Sequence, residues 1–375
     1  MSGEFRAALQ RELEGLAEAG LLRSLPSSAG EASGPWRNFA SSDYLGLGRH
    51  PEVIEAGCRA FRERGAGSGA SRLLCPDAAL QRELEARLAS WKRREAALVF
   101  SSGYAASVGT IPALAGPEDL IVLDRLSHAS LIDGARASKA TLRVFPHNDL
   151  AALEEILLRL REKFRRVLLV TESVFSMDGD VAPLRELVAL KERHRAWCLV
   201  DEAHAEGVFG PTGAGLLEAL GLEGRIEVEL GTLSKALGSG GGFVAGDREL
   251  VSLLVNRARS FIYSTALPPA AAEAARTALG LASSEEGERR RERLRELVSL
   301  FGGGDRDHPP IFPVLYGEES RAVEAAARLR EKEIFAPAIR FPTVPKGKAR
   351  LRISLCAFHR PEDVRALQAE LERGP

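Results

Sequence analysis

The stretch NDLAALEEILLRLREKFRRVLLV, residues 148–170, decides the fold class of this chain. Its apolar residues up to position 160 recur at the spacing of one helical face, and they follow Asn148 and Asp149, which are good N-cap residues. These apolar residues are Leu150, Leu153, Ile156, Leu157 and Leu160. The run VLLV (167–170) comes next and is short and apolar, as a buried strand requires. A helix therefore leads into a buried strand.

Short apolar runs and longer helical segments alternate on both sides of this stretch. The other strand candidates are ALVF (97–100), LIVL (120–123) and CLV (198–200). Parallel sheets that are covered by helices on both faces contain near-continuous apolar strands of this kind. The pattern predicts an α/β domain with a largely parallel sheet.

The composition of the sequence changes beyond about residue 265, and a second domain is predicted to begin near residue 280. Two prolines (268 and 269), a charged run at 285–296 and a glycine-rich break at 302–304 mark the change. Strands are predicted at IFPVLYG (311–317) and RLRISL (350–355), and helices at 319–332 and 361–372. We predict three parts, which are an N-terminal helix and arm (1–45), a large domain (46–280) and a small α+β domain (281–375).

The composition is that of an ordinary globular protein. Of 375 residues, 45% are hydrophobic and 27% are charged, with a formal net charge of -1, so nothing favours nucleic acid or a membrane as a partner. The N-terminal segment interleaves charges at helical spacing and is expected to be neither signal peptide nor membrane anchor. Cys58, Cys75, Cys198 and Cys356 are far apart, which argues against a disulfide framework or a metal site and fits a cytoplasmic protein.

Two short segments carry the sharpest chemical signal, VDEAH (200–204) and GTLSKALGSGGG (231–242). Asp201 follows an apolar strand candidate, so it should lie at the carboxyl end of a buried strand, where open α/β sheets build their ligand sites. A carboxylate there can keep a pyridine nitrogen protonated. Lys235 lies among small residues that let a phosphorylated ring approach closely, and such a lysine can form an imine with an aldehyde.

Each segment alone has an ordinary explanation. A single DEAH also fits a helicase box or a chance strand end, and a lysine beside glycines is usually a solvated loop residue. A helicase would also need a phosphate loop of the form GxxxxGK[ST], which the sequence does not contain. The two segments together, each after a strand candidate, are much more specific.

The chain resembles the α-oxoamine synthases, a family of fold type I enzymes that use pyridoxal 5'-phosphate (PLP), and within it the branch of biotin biosynthesis. The resemblance is near continuous from about residue 38 to 370. It rests on NFASSDYLGLG (38–48), GAGSGASR (65–72), FSSGYAA (100–106), DRLSHASLIDG (124–134), TESVFSMDGDVAPL (171–184), VDEAHAEGVFGPTGAG (200–215), GTLSKALG (231–238), YSTALPP (263–269) and IRFPTVPKGKARLRISL (339–355). It implies a mostly parallel seven-stranded sheet in the large domain.

The resemblance also implies the roles of the cofactor-site residues. Lys235 would hold PLP covalently, Asp201 would pair with the ring nitrogen, and His128 would stack on the ring. The remaining PLP contacts implied are the Gly103 and Tyr104 amides and Thr232 for the phosphate, Ser176 and His204 for the phenolic oxygen, and Ser264 and Thr265 for the phosphate of a neighbouring subunit. A homodimer with shared active sites follows.

Arg352 matches the arginine that pairs with the carboxylate of the amino acid substrate, a task that suits its planar fork of donors. From the local pattern alone, Arg352 would be an exposed strand residue that alternates with Arg350. Where the family carries asparagine for the same carboxylate, this chain has Ser42, whose hydroxyl is shorter. Ala70 and the pair Cys75 and Pro76 replace small residues that shape the acyl entrance in the family.

The reaction implied by the resemblance is a decarboxylating condensation of L-alanine with pimeloyl-CoA, an acyltransferase reaction. Lys235 would remove the Cα proton, and His128 would donate to the ketone oxygen. Three alternatives remain open from the sequence. They are another α-oxoamine synthase such as glycine C-acetyltransferase, a non-catalytic PLP-binding homologue, and a nucleotide-dependent enzyme that uses VDEAH as an acidic metal box.

Overall fold

A seven-stranded sheet forms the centre of the protein in the computed structural model, which describes residues 2–23, 37–75 and 78–373. The strands are β1 (Arg37–Asn38), β2 (Ala96–Phe100), β3 (Leu120–Asp124), β4 (Thr141–Phe145), β5 (Val167–Glu172), β6 (Trp197–Asp201), β7 (Val228–Thr232), β8 (Gly242–Gly246), β9 (Ile311–Gly317), β10 (Ile334–Phe335), β11 (Ala338–Ile339) and β12 (Ala349–Ser354). The central sheet has the order β2-β8-β7-β6-β5-β3-β4. Strand β8 is antiparallel to both of its neighbours and the other pairs are parallel. The predicted fold class is confirmed.

Helices separate most of these strands along the chain. They are α1 (Ser2–Glu18), α2 (Pro51–Arg64), α3 (Ala79–Trp91), α4 (Gly103–Leu114), α5 (Ala129–Ala137), α6 (Leu150–Leu160), α7 (Leu184–Arg193), α8 (Leu216–Leu220), α9 (Arg248–Arg257), α10 (Arg259–Ile262), α11 (Pro269–Ala282), α12 (Glu285–Phe301), α13 (Glu319–Glu331) and α14 (Pro361–Glu372). The predicted start of α6 is confirmed, because the Asp149 carboxylate accepts a hydrogen bond from the Ala152 amide at 2.9 Å. That bond satisfies one of the amides that a helix N-terminus leaves unpaired.

The strand residues bury side chains on both faces of the sheet. Leu168 belongs to one apolar cluster, together with Ile111 of α4 and Leu131 of α5. Its neighbour Leu169 belongs to the other cluster, together with Leu187 of α7. Because successive strand side chains point to opposite faces, a strand covered on both sides is apolar throughout, which is the pattern that the sequence shows.

The C-terminal part of the chain forms a smaller sheet with the order β11-β12-β9, and all of its pairs are antiparallel. Both predicted strands of this part are present as β9 and β12, and both predicted helices are present as α13 and α14. β1 pairs in parallel with β10, and the Arg340 guanidinium donates to the Gly20 carbonyl oxygen just after α1. The proposed division into residues 1–45, 46–280 and 281–375 stays a prediction.

Within the described residues, no helix is both long and apolar enough to cross a membrane. Cys198 and Cys356 are fully buried, and burial raises the pKa of both thiols far above the ordinary range. These two cysteines are therefore inert core residues.

Candidate active site

The carboxyl ends of β5 and β6 place two acidic side chains next to each other. Asp201 ends β6 and lies opposite Glu172, the last residue of β5, in the parallel register. Burial and, as a smaller effect, the charge of Asp201 together raise the pKa of Glu172 to about 8, so Glu172 is mostly protonated at pH 7. Burial also raises the pKa of Asp201. Asp201 therefore needs a cationic partner to stay ionised in this position.

One oxygen of Asp201 is open toward a pocket. Oδ1 accepts a hydrogen bond from the Ala203 amide at 2.9 Å, while Oδ2 has no hydrogen-bond partner among the described residues. The side chain is only 8% exposed and lines the pocket wall. A buried carboxylate oxygen without a donor is a site for a charged donor from a ligand.

Lys235 lies in the loop between β7 and β8, and its amino group faces the same pocket. Burial lowers its pKa, although the charges of Asp201 and Glu172 oppose that effect. Its Nζ lies 2.8 Å from Nε2 of His204. A lysine with a lowered pKa has a larger fraction of the neutral amine, which is the nucleophilic and basic form.

His204 is also buried, and its second ring nitrogen, Nδ1, lies 2.6 Å from the hydroxyl of Tyr44. Burial lowers the His204 pKa well below its ordinary value, and the positive charges of Lys235 and Arg352 lower it further. The ring is therefore neutral at physiological pH, with one donor and one acceptor nitrogen.

His128 precedes α5 and caps its N-terminus. Its backbone amide donates to Oε1 of Glu172 at 2.5 Å, and its Nδ1 accepts from the Ser130 amide at 3.2 Å. Burial lowers the pKa of His128, so its ring is neutral at pH 7, and Nδ1 also lies 2.8 Å from the Ser130 hydroxyl oxygen. The side chain lines the same pocket as Asp201 and Lys235.

The opposite end of the pocket is built from the N-terminus of α4. Ser102 caps this helix by accepting from the Ala105 amide at 3.0 Å. The amides of Gly103 and Tyr104 lie in the first turn, where the helix itself offers no acceptor, so they form an anion site. Thr232 at the end of β7 lines this region, and a Cβ on Gly242 would come within 2.5 Å of the Gly103 Cα. Glycine is therefore required at 242.

These side chains enclose a pocket of about 220 Å³. Its lining is Ser102, Gly103, Tyr104, His128, Ser130, Glu172, Asp201, Ala203, His204, Leu230, Thr232, Ser234 and Lys235. The lining contains a helix N-terminus, a buried carboxylate, an amine and several neutral polar groups. This donor set fits a flat aromatic ring that carries a phosphate, a basic ring nitrogen and an aldehyde.

Three other predicted residues lie outside this lining but next to it. Arg352 on β12 is 7% exposed, and its guanidinium donates to the Ser176 carbonyl oxygen at 2.5 Å and to Ser354 Oγ at 2.6 Å. The exposed position suggested by the local pattern is therefore wrong for Arg352. The same holds for Arg350, which is also buried and binds Asp178 at 2.5 Å. Ser42 precedes Tyr44, and its carbonyl oxygen accepts from the Tyr44 amide at 2.8 Å.

Ser264 and Thr265 are not part of the pocket lining of their own chain. Thr265 is exposed and forms an isolated antiparallel bridge with Ser71. The neighbouring Ala266 amide donates to the Ala70 carbonyl oxygen at 2.9 Å, so Ala70 belongs to the same surface. The Cys75 amide donates to the Ser71 carbonyl oxygen at 2.9 Å, while Pro76 lies outside the described residues.

A charged cluster that the sequence did not reveal holds two loops of the site together. Nδ1 of His147 lies 2.9 Å from Oδ1 of Asp124, and its Nε2 lies 2.5 Å from Oδ2 of Asp180. Asp124 ends β3 shortly before His128, and Asp180 closes the turn that contains Ser176. The cluster therefore fixes the spacing of the loops that carry these two predicted site residues.

We expect His147 to make stability depend on pH. Burial alone would lower its pKa, but the hydrogen bonds and charges of Asp124 and Asp180 outweigh burial and raise the pKa to about 10. Since the unfolded pKa is about 6.5, this stabilisation is fully present below pH ~6.5 and is lost as the pH rises through about 10. Allowing for solvent screening, it amounts to ~1 to 3 kcal/mol.

Urea unfolding of the wild type and of His147→Gln at several pH values between 6 and 10 measures this effect. The difference between the two free energies of unfolding should be largest at pH 6 and should shrink toward pH 10. A constant difference across this range would contradict the charged state of His147.

Glu172 in the pocket lining and Tyr44 behind it were not predicted as site residues. Glu172 carried a signal, since it follows the VLLV strand at the position that is equivalent to Asp201 on the next strand. Tyr44 carried none, because its partner His204 is 160 residues away in the sequence.

Comparison with known proteins places this pocket in a family. The profile of the aminotransferase class I and II family matches residues 35–371, and the chain belongs to that family. Within it, the chain is similar over almost its whole length to relatives named 8-amino-7-oxononanoate synthase. It is 49% identical over 376 aligned positions to the 8-amino-7-oxononanoate synthase of Anaeromyxobacter dehalogenans (strain 2CP-1 / ATCC BAA-258), which covers 96% of this chain and 93% of the relative.

Solved structures agree with this assignment. A serine palmitoyltransferase from S. paucimobilis, solved with a bound PLP–myriocin aldimine, is 32% identical, with a TM-score of 0.90 and coverage of 98% of this chain and 96% of that one. An 8-amino-7-oxononanoate synthase from Francisella tularensis is 26% identical, with a TM-score of 0.78 and coverage of 90% and 97%. The chain thus has the fold type I architecture of these enzymes.

Proposed function

We propose that this protein is a PLP-dependent acyltransferase that condenses L-alanine with pimeloyl-CoA and releases 8-amino-7-oxononanoate, CoA and carbon dioxide, a step of biotin biosynthesis. The proposal rests on the buried pocket that the Asp201 carboxylate and the Lys235 amine both line. The relative with 49% identity, named for this product, supports the choice of reaction.

The pocket residues would hold the cofactor from both ends. The amides of Gly103 and Tyr104, with the Thr232 hydroxyl, would bind the phosphate at the N-terminus of α4. Oδ2 of Asp201 would accept from the ring nitrogen, and Lys235 would bind the aldehyde carbon. The other proposed contacts are His128 against the ring face, and Ser176 and His204 near the phenolic oxygen.

When bound, the cofactor supplies an electron sink that lowers the pKa of the substrate's Cα–H bond. Asp201 stabilises the positive charge on which that sink depends, because a buried carboxylate favours a cationic partner. Lys235, once it is free, removes the Cα proton and later returns it as a general acid. His128 would donate a hydrogen bond to the developing ketone oxygen.

Arg352 would bind the alanine carboxylate. Its Nε and Nη1 are already bonded to Ser176 and Ser354, so the remaining face of the guanidinium would carry the substrate contact. Ser42 would add a hydroxyl where the family has an amide. An arginine fixed by two protein contacts loses little conformational freedom on binding, which favours a specific geometry.

We also propose a homodimer with shared active sites, in a reducing cytoplasm. Ser264 and Thr265 lie outside the pocket of their own chain, on a surface segment that Ser71 and Ala70 brace. From that surface they could reach the phosphate site of a second subunit. The wide separation of the four cysteines in the sequence supports the reducing compartment.

Alanine with pimeloyl-CoA is expected to give the highest kcat/KM among the amino acid and acyl-CoA pairs of this enzyme group. A mass-spectrometric product assay should offer alanine, glycine and serine against pimeloyl-, acetyl- and palmitoyl-CoA. Because one methyl group in a pocket is worth only ~1 to 3 kcal/mol, glycine should be used about 10- to 200-fold less efficiently, and the acyl group is the sharper criterion. A higher kcat/KM for glycine with acetyl-CoA would favour a glycine C-acetyltransferase, and the absence of any product would favour a non-catalytic homologue.

A further inference from the structure

Three polar groups form a continuous chain behind the pocket. Lys235 Nζ lies 2.8 Å from Nε2 of His204, and Nδ1 of His204 lies 2.6 Å from the Tyr44 hydroxyl. Tyr44 is fully buried, and its ring meets the imidazole edge-on with 6.1 Å between ring centroids. Both ring nitrogens of His204 are therefore used, one by the amine and one by the phenol.

A neutral imidazole carries one proton for its two ring nitrogens, so the protonation states of these three groups are linked. If Lys235 is an ammonium, it donates to Nε2, so the proton of His204 must sit on Nδ1 and point to the Tyr44 oxygen. If Lys235 is a neutral amine, it can accept from Nε2–H, and the Tyr44 hydroxyl then donates to Nδ1. The charge of Lys235 is thus linked to the direction of both hydrogen bonds, because an ammonium can only donate to Nε2 whereas a neutral amine can also accept.

We infer that Tyr44 is a positioning residue that orients His204 and couples the protonation of Lys235 to a buried hydroxyl. The phenol supplies the only partner of His204 Nδ1 among the described residues. Without it, Nδ1 of His204 is buried and unpaired in either state, as a donor when Lys235 is an ammonium and as an acceptor when Lys235 is a neutral amine, and the two states lose different hydrogen bonds. Tyr44 therefore orients the imidazole and couples its tautomer to the charge of Lys235. The inference deepens the proposed function and rests on the role given there to Lys235.

Other groups face the hydrogen-bonded series of Lys235, His204 and Tyr44. Some of them raise the pKa of Lys235 and others lower it. They are Asp201, Glu172, Glu206, Arg352, His128 and Cys356. The charge of Arg352 opposes protonation of both Lys235 and His204, and it also lies next to the Tyr44 phenol. Tyr44 therefore stands between the proposed carboxylate site and the amine, where it could transmit substrate binding to Lys235.

Tyr44→Phe in the cofactor-free protein tests the inference, with Tyr316→Phe as the matched control. Tyr316 lies on β9 and makes no contact with Lys235 or His204. The pH dependence of reductive methylation at Lys235, followed by peptide mass spectrometry, measures the proton affinity of that amine. We expect Tyr44→Phe to change this affinity about tenfold, or about one unit of pKa, and Tyr316→Phe to leave it unchanged. Coincident titrations of all three proteins would overturn the inference.

A second measurement retains the tyrosine at position 44, so it can be made even if Tyr44→Phe does not fold. In protein labelled with 3-fluorotyrosine, the Tyr44 signal in the ¹⁹F spectrum is assigned through Phe variants of Tyr104, Tyr263 and Tyr316. It should shift over the same pH range as the methylation of Lys235. A Tyr44 signal that does not move in that range would overturn the coupling. Since neither measurement uses cofactor or substrate, either one can fail while the product assay succeeds.

Discussion

Replacing Lys235 by alanine is expected to lower kcat by at least ~10² to 10⁴-fold, because the variant loses the only amine in the described pocket lining that can move the Cα proton. The fold should survive, since Lys235 is partly accessible and lies in a loop. The rate of alanine Cα–H exchange with deuterated solvent and the product assay together measure the loss.

Two control variants distinguish the loss of a base at position 235 from the loss of its positive charge and from the removal of an unrelated lysine. Lys235→Arg keeps a positive charge but cannot act as a base, because a guanidinium stays protonated, so it should be as inactive as the alanine variant. Lys163→Ala removes an exposed lysine far from the pocket lining and should be fully active. An active Lys235→Arg enzyme would show that Lys235 contributes only its charge.

Asp201→Asn is expected to slow alanine Cα–H exchange by ~10² to 10³-fold while the cofactor is retained. A neutral amide does not stabilise a protonated ring nitrogen, so the driving force for carbon acidity is lost. Glu172→Gln is the matched control, because the raised pKa of about 8 already keeps Glu172 mostly neutral at pH 7. That variant should lose less than about tenfold. Similar losses in both variants would contradict the separate role of Asp201.

Much of the sheet could be predicted from the sequence, because strands that are buried on both faces consist of uninterrupted apolar residues. The segments around Leu98, Ile121, Leu168 and Leu199 all became strands. β4 and β8 were not predicted, and β7 was expected only as an unnamed strand candidate at the start of GTLSKALG. β7 (VELGT) contains a buried glutamate and a glycine, and β8 (GFVAG) is short and bounded by glycines, so neither has the composition of an isolated strand.

The candidate site could be predicted only where local sequence carries chemistry. Asp201 and Lys235 stand out because a strand end and a glycine-rich loop each mark them. The burial of Arg350 and Arg352 depends instead on the turn at 176–178, which supplies their partners from more than 170 residues away. The His147 cluster and the Tyr44 contact likewise join distant segments, and such partners follow from the folded topology rather than from any local pattern.

The most direct test of the central claim is borohydride reduction of the purified protein with PLP, followed by peptide mapping. We expect a yellow protein whose colour is lost on reduction, with the cofactor fixed covalently to the peptide that contains Lys235. We expect no covalent label in Lys235→Ala. Stable labelling of a different lysine, or equal labelling of the Lys235→Ala protein, would contradict the assignment of Lys235 as the residue that holds the cofactor.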